Sequence, residues 1–224
     1  MPIDYSKRPS SKPAATAGGG GGGPVSLTKR GETVSLTKGS GSAPVRINLN
    51  WDQRSSGGAG GLFKKLAGGG GGGIDLDLGC LYELTDGSKG VVQAIGGHFG
   101  SLTSPPYVQL DKDDRSGTAT DGENLFVSGA HSAQIKRLAV FAFIYEGAPN
   151  WSKAGGVVTI HPPQGAAVTI QLDEARDGKG MCGICLVNGG RDGFSVQREV
   201  QYLSGHPELD QLYGWGMSWT RGSK

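Results

Sequence analysis

Residues Ile74–Leu84 read IDLDLGCLYEL, and this stretch decides the fold class. Every second residue, from Ile74 to Leu84, suits a buried position, which is the period of a β-strand with one face in the core. Asp75 and Asp77 are neighbours on the opposite face. The turn sequence DGS and a second β-prone run follow directly. The stretch therefore predicts the first arm of an antiparallel hairpin.

Similar β-prone runs recur along the rest of the chain. The run LAVFAFIY is apolar on both faces, which predicts a central strand covered on each side. Only His206–Leu212 predicts a helix, and Tyr213–Trp219 alternates again, which predicts a packed final strand. The predicted strands are Val25–Thr28, Thr33–Thr37, Val45–Trp51, Ile74–Leu84, Val91–Ile95, Tyr107–Leu110, Leu125–Ser128, Leu138–Tyr145, Val157–Ile160, Ala167–Leu172, Met181–Val187 and Phe194–Tyr202. Many short strands with few helices predict an all-β fold, an antiparallel β-sandwich.

Composition and length narrow the function classes. With 224 residues the chain can bury the core of one domain, and its net charge of +2 argues against a nucleic-acid partner. Residues 1–23, rich in Pro, Ser and Gly, predict a disordered tail. Residues 24–224 then form the sandwich domain, with a glycine-rich loop at 53–73. No segment is apolar enough to cross a bilayer or act as a secretory signal, so we expect a cytoplasmic protein without direct membrane insertion.

An acidic segment, LDKDDRSGTATDGEN, lies at Leu110–Asn124. Its carboxylates would repel one another in a compact loop unless solvent or a cation neutralises them. Hard oxygen ligands on a glycine-containing loop suit calcium. A solvated acidic turn is the alternative. The segment is not an EF-hand, because Arg115, Ser116 and Gly122 occupy positions that require a ligand, a glycine and a bidentate glutamate.

A β-sandwich can build a calcium site where acidic loops meet at one end of its two sheets. Asp75 and Asp77 could join the acidic segment there, with Asp52 in the same region. An ordinary solvent-facing strand is the alternative for Asp75 and Asp77, although like charges side by side favour a cation. The candidate metal ligands are Asp75, Asp77, Asp113, Asp114, Asp121 and Glu123.

Other site chemistry has little support in the sequence. Cys182 and Cys185 have CxxC spacing, but residues three apart in a strand should point to opposite faces, so we expect core cysteines. Cys80 stands alone, and three cysteines give no disulfide framework. No nucleophile-elbow, zinc-helix or phosphate-loop motif occurs. The sequence therefore predicts no catalytic residue and no enzyme.

In combination, several segments resemble the TerD-like tellurium-resistance family, and most closely its TerA branch. They are VSLTKRGETVSLTK (Val25–Lys38), NLNWD (Asn48–Asp52), IDLDLGCLYEL (Ile74–Leu84), LDKDDRSGTATDGEN (Leu110–Asn124), IKRLAVFAFIYEGAPNW (Ile135–Trp151) and DQLYGWGMSW (Asp210–Trp219). The resemblance runs from about Pro24 to the C-terminus, apart from the second glycine run. It implies a β-sandwich that binds calcium through acidic loops.

The resemblance also implies which residues bind the ion. The aspartates of the family's DLD strand match Asp75 and Asp77, and its Asp-Asn/Asp-x-x-Gly element matches Asp113, Asp114 and Gly117. The family's next acidic run is reduced here to DGEN, which removes carboxylates and points to one ion or weaker binding.

The implied function is a non-enzymatic scaffold in bacterial tellurite resistance and related chemical stress. Its implied partners are other family members and a membrane protein of the TerC type, which would bring it peripherally to the inner membrane face. Two alternatives remain open. One is a calcium-independent module that self-assembles or docks a partner through strand edges or the 53–73 loop. The other is an enzyme that acts on tellurium oxyanions through its cysteines.

Overall fold

Two seven-stranded sheets form the β-sandwich in a computed structural model of the chain, which confirms the predicted fold class. Every strand pair is antiparallel except β1 with β3 and β12 with β2. The structure describes residues 15–16, 23–37, 43–51, 74–111, 122–146, 150–174, 176 and 178–220.

The strands of both sheets are short to medium in length. They are β1 Ala15–Thr16, β2 Val25–Ser26, β3 Thr33–Thr37, β4 Val45–Asn50, β5 Asp75–Leu84, β6 Lys89–Val92, β7 Gly100–Ser101, β8 Val108–Leu110, β9 Glu123–Val127, β10 Ile135–Glu146, β11 Gly156–His161, β12 Val168–Leu172, β13 Met181–Gly190 and β14 Gly193–Leu203. Sheet A has the order β1-β3-β14-β13-β10-β5-β6, and sheet B has the order β2-β12-β11-β4-β9-β8-β7. The predicted hairpin after β5 is present, since Glu83 pairs with Lys89 across the DGS turn.

Alternation along each strand builds the core between the sheets. In β5, Leu76, Leu78 and Cys80 are fully buried there. In β4 the pattern is equally regular, with Ile47 and Leu49 fully buried and polar residues between them. Burial of this much apolar area between two sheets is the main favourable contribution to folding.

The central strand β10 is covered on both faces, as its sequence predicts. Leu138, Val140 and Ala142 pack into the core between the sheets. Ala139 and Phe141 belong instead to a second buried cluster on the outer face of sheet A. The helix His206–Tyr213 and the residues after it cover this second cluster, which also contains Leu81, Phe143, Met181, Leu203, Leu209 and Trp215.

The predicted final strand is wrong. The helix ends at Tyr213, Gly214 follows in the left-handed region (φ 62°), and residues 215–220 have no regular secondary structure. The Asp210 carboxylate holds this segment by accepting hydrogen bonds from Gly216 N (2.8 Å), Met217 N (2.9 Å) and Trp219 Nε1 (3.1 Å). The apolar residues alternate in this segment because it packs on the outer face of sheet A without forming backbone hydrogen bonds to a strand. The sequence reading also missed a short helix, Trp151–Ala154.

The predicted N-terminal tail and glycine-rich loop lie almost wholly outside the described residues. Within the tail, Ala15–Thr16 pairs with β3 in parallel. None of the 53–73 loop is described. No helix in the described ranges is long and apolar enough to cross a membrane.

Candidate metal centre

One end of the sandwich gathers the strand ends that border the acidic segment. Leu49 near the end of β4 pairs with Glu123 at the start of β9. Asp75 at the start of β5 pairs with Glu146 at the end of β10. The Trp51 indole, just after β4, donates a hydrogen bond to the carbonyl of residue 74, just before β5 (3.0 Å). Both sheets therefore contribute to this end, which we call the acidic end.

A hydrogen bond between a side chain and the backbone joins a strand of each sheet at the acidic end. Glu123 of β9 in sheet B accepts through Oε2 from the backbone N–H of Leu78 in β5 of sheet A (2.5 Å). Alternation explains the direction of the side chain, because Leu125 and Val127 on the same face of β9 are in the core. Strand β6 pairs with β5 only from Cys80 onward, so this part of β5 has its edge open to a side-chain acceptor.

The two predicted aspartates of β5 differ in exposure. Asp77 is 1% exposed, whereas Asp75 is half-buried. Asp77 alternates with Leu76 and Leu78, so it faces away from the core between the sheets, as predicted. A solvent-facing strand is therefore the wrong description for Asp77. A buried carboxylate requires hydrogen bonds or a cation to offset its lost hydration.

The base of the acidic segment is held by side chains on both of its strands. Asp111 accepts hydrogen bonds from the Asn124 backbone N–H (2.9 Å) and from Asn124 Nδ2 (2.8 Å). Asn124 Oδ1 in turn accepts from Asn48 Nδ2 (3.0 Å) and from an Arg46 guanidinium nitrogen (3.4 Å). Sequence reasoning did not find this network. The sequence feature that could have indicated this network is the polar face of β4, where Arg46 and Asn48 alternate with core residues.

Glycine is required at the point where the segment rejoins the sheet. Gly122 has φ +69°, and a Cβ at this position would lie within 2.1 Å of the Leu49 carbonyl oxygen. Only glycine adopts this conformation and permits this approach at low cost. Gly122 thus fixes where the acidic segment enters β9, directly before Glu123.

Three of the six candidate calcium ligands are among the described residues. Asp75, Asp77 and Glu123 lie at the acidic end, and their hard oxygen donors suit calcium. Within the described ranges, however, no group of three acidic, His or Cys side chains is close enough to hold a metal ion. The other three predicted ligands, Asp113, Asp114 and Asp121, and also Asp52, lie outside the described residues.

The cysteines form no exposed site. Cys80, Cys182 and Cys185 are unpaired and buried, which agrees with the prediction of core cysteines. The reason given for it was wrong, because Cys182 and Cys185 both lie in the core between the sheets. A β-bulge against β10 adds one residue, Ile184, to β13 between Gly183 and Cys185, and this returns Cys185 to the same face as Cys182. Burial raises the pKa of Cys185 to about 12 and also raises the pKa of the other two thiols.

Comparison with known proteins finds a relative that is similar over most of the chain. Tellurium resistance protein TerA from an Alcaligenes species is 43% identical to the chain over 202 residues, which is 89% of this chain. The chain spans 58% of the length of that relative. No family model matches the chain. Over most of its own length, the chain is thus similar to a TerA-type tellurium-resistance protein.

Proposed function

We propose that the chain is a non-enzymatic, calcium-binding protein of bacterial tellurium resistance. The role in tellurium resistance rests on the name of its relative, with which it shares 43% identity. The calcium-binding role rests on the acidic end. The observation that carries it is the hydrogen bond from Leu78 N–H to Glu123 Oε2, which brings a second sheet's carboxylate to the residue beside the buried Asp77.

Carboxylates from three places would supply the ligands. Asp77 and Asp75 would contribute from β5, and Glu123 from β9. Asp113, Asp114 and Asp121 would contribute from the segment between Asp111 and Gly122, whose two ends are fixed by the Asp111–Asn124 pair and by the Gly122 contact. Calcium, when bound, would supply the positive charge that lets these carboxylates approach one another.

The residues of the acidic end have separate tasks in this proposal. Glu123 ties sheet B to sheet A through Leu78, so the relative position of the sheets depends on its carboxylate. Asn124 and Asp111 keep the two ends of the acidic segment together. Asp77 places a carboxyl group in a buried position on the outer face of sheet A. Neutralisation of these groups would order one end of the sandwich and shape a surface there.

We further propose that this surface serves assembly and not catalysis. Its partners would be related family proteins or further copies of the chain, and a TerC-type membrane protein at the cytoplasmic face of the inner membrane. The burial of all three thiols supports a non-enzymatic role, since a thiol must reach its substrate as an accessible thiolate. A role in the wider chemical stress response follows from the same scaffold function.

Growth on tellurite tests this function in cells whose resistance requires the chain. We expect the double variant Asp77→Asn, Glu123→Gln to lose resistance while it accumulates to the wild-type level. The control Asp192→Asn removes one carboxylate from the exposed β13–β14 turn and should keep full resistance. Full resistance in the double variant would contradict the calcium role and favour a calcium-independent assembly module. Size-exclusion chromatography with calcium and with chelator should then show the same oligomers.

A further inference from the structure

A basic cavity lies beside β14, and its lining residues are different from those of the acidic end. Its volume is about 530 Å³, which is within the range of small-molecule sites. The turn before β3, the middle of β14 and the segment before β13 line it. Five basic side chains and two acidic ones border it, namely Lys29, Arg30, Arg176, Lys179, Arg198, Glu174 and Glu199.

Arg198 is the unusual member of this cavity. It is only 8% exposed, and its Nε has no hydrogen-bond partner. Among the described residues, no carboxylate forms an ion pair with it. A buried guanidinium without an ion-pair partner is costly, because it loses hydration with little compensation. An anion in the cavity would offset that cost.

The acidic residues of the cavity already have partners. Glu199 pairs with Arg30 Nε (2.9 Å) and accepts hydrogen bonds from Gln197 Nε2 (2.6 Å) and Tyr213 OH (3.3 Å). Glu174 lies 3.4 Å from Arg176 Nε in an exposed pair. Each of these two carboxylates thus forms its ion pair with another arginine and not with Arg198.

The backbone around Arg198 is held in an unusual conformation. Val200 has φ 43°, which is rare for a β-branched residue, and the register of β14 against β13 shifts at the same place. Strain and β-bulges of this kind concentrate at functional sites, where they aim side chains. Val200 itself is 4% exposed, so tight packing maintains the strain.

The opposite wall of the cavity is also fixed in place. Glu32 Oε2 accepts hydrogen bonds from the backbone N–H groups of Thr28 (2.7 Å) and Lys29 (2.9 Å). The Arg198 carbonyl accepts a hydrogen bond from Gly31 N in the same turn (2.8 Å), and the Arg198 N–H donates one to the Glu32 carbonyl (2.9 Å). Lys29 and Arg198 are thus held in place by one network of hydrogen bonds.

We propose that this cavity is a binding site for a small molecule that carries an oxyanion group, with Arg198 as its central ligand. Guanidinium groups bind oxyanions through several N–H donors, and Lys29 and Lys179 add positive charge at the rim. The site is separate from the acidic end and does not rest on the proposed function. Tellurium oxyanions belong to this ligand class, as do phosphate and its esters.

Calorimetry on the full chain in chelator tests the site, with inorganic phosphate, pyrophosphate and tellurite as probes. We expect saturable binding of at least one probe and at least tenfold weaker binding in Arg198→Gln. Tighter binding of pyrophosphate than phosphate would identify a phosphorylated ligand, and preference for tellurite would link the site to resistance. The control Arg191→Gln removes the same charge from an exposed turn and should bind like wild type.

A second variant keeps the test valid if Arg198→Gln does not fold. Lys29 is exposed, so Lys29→Gln should fold normally and weaken the same probe at least threefold. No saturable binding of any probe at millimolar concentration would overturn the proposal. Equal binding in wild type, Arg198→Gln and Lys29→Gln would also overturn it. Both results are independent of calcium binding, because the measurement is made in chelator.

Discussion

Glu123 in one sheet and Leu78 in the other are joined by a hydrogen bond from backbone N–H to carboxylate, 2.5 Å long. The bond lies at the end of the sandwich from which the acidic segment leaves, and Leu78 directly follows the buried Asp77. One side chain thus links the relative position of the sheets to the carboxylates proposed to bind calcium.

We expect Glu123→Ala to destabilise the protein even in chelator, because it leaves the Leu78 N–H without its acceptor. The free energy of unfolding should fall by about 1–3 kcal/mol, the usual cost of a lost hydrogen bond to a charged group. Glu123→Gln keeps an acceptor oxygen and should lose less. Urea unfolding of both variants in chelator measures this. Equal stability of Glu123→Ala and wild type would show that the bond between the sheets contributes nothing.

The outer cluster on sheet A should depend strongly on Trp215. Its side chain is 1% exposed, its indole donates to the Tyr82 carbonyl (3.0 Å), and the Arg137 guanidinium lies 3.9 Å from its ring centroid. We expect Trp215→Ala to lower the free energy of unfolding by about 3–5 kcal/mol, as for other large buried side chains. Leu212→Ala is the control, because Leu212 is 43% exposed, and it should cost less than about 1 kcal/mol. Similar losses in the two variants would contradict this packing.

His206 should make stability depend on pH. Burial lowers its pKa from the ordinary 6.5 to about 4, and its Nε2 contacts Gln93 Oε1 (2.7 Å). Between pH 6.5 and 4 the unfolded chain therefore binds a proton that the folded chain does not, so His206 reduces stability as pH falls through this window.

Comparison of wild type with His206→Gln isolates this contribution from that of the carboxylates. The unfolding free energy of the wild type should fall more steeply than that of the variant between pH 6.5 and 4. Urea titrations at half-unit intervals of pH measure the difference. Parallel curves would mean that His206 titrates equally in both states.

The cysteines should be inert in the folded protein. Each thiol is buried, and burial raises its pKa, so little thiolate exists near neutral pH. We expect iodoacetamide at pH 8 to leave all three thiols unmodified in the native chain and to modify all three in urea. Rapid modification of the native chain would revive the possibility of cysteine chemistry on tellurium oxyanions.

The sequence predicts the fold well where alternation reflects burial. Strand β4 is buried at every second residue, and β10 is apolar on both faces because a helix and the C-terminal segment cover its outer side. Prediction from the sequence fails where side-chain hydrogen bonds or irregular strand pairing determine the backbone conformation. The Asp210 carboxylate, and not strand pairing, holds residues 216–219. The bulge at Cys185 likewise cannot be read from a CxxC spacing.

The candidate sites were predictable to different degrees. Acidic composition pointed to Asp77 and Glu123, since clustered carboxylates stand out in a chain of low net charge. The network from Asp111 to Asn48 was missed, because it depends on the pairing of three strands. Arg198 was missed for a related reason. Within the described ranges its Nε has no hydrogen-bond partner and it forms no ion pair, which depends on packing and leaves no trace in local sequence.

Calcium titration by calorimetry, with the melting temperature measured in parallel, tests the central claim most directly. Wild type and the Asp192→Asn control should release or absorb saturable heat and should melt at a higher temperature as calcium rises. At a calcium concentration about 100 times the dissociation constant the stabilisation should be about 2.7 kcal/mol. Asp77→Asn and Glu123→Gln should lose most of both signals. No heat and no shift in melting temperature for the wild type in excess calcium would contradict the claim.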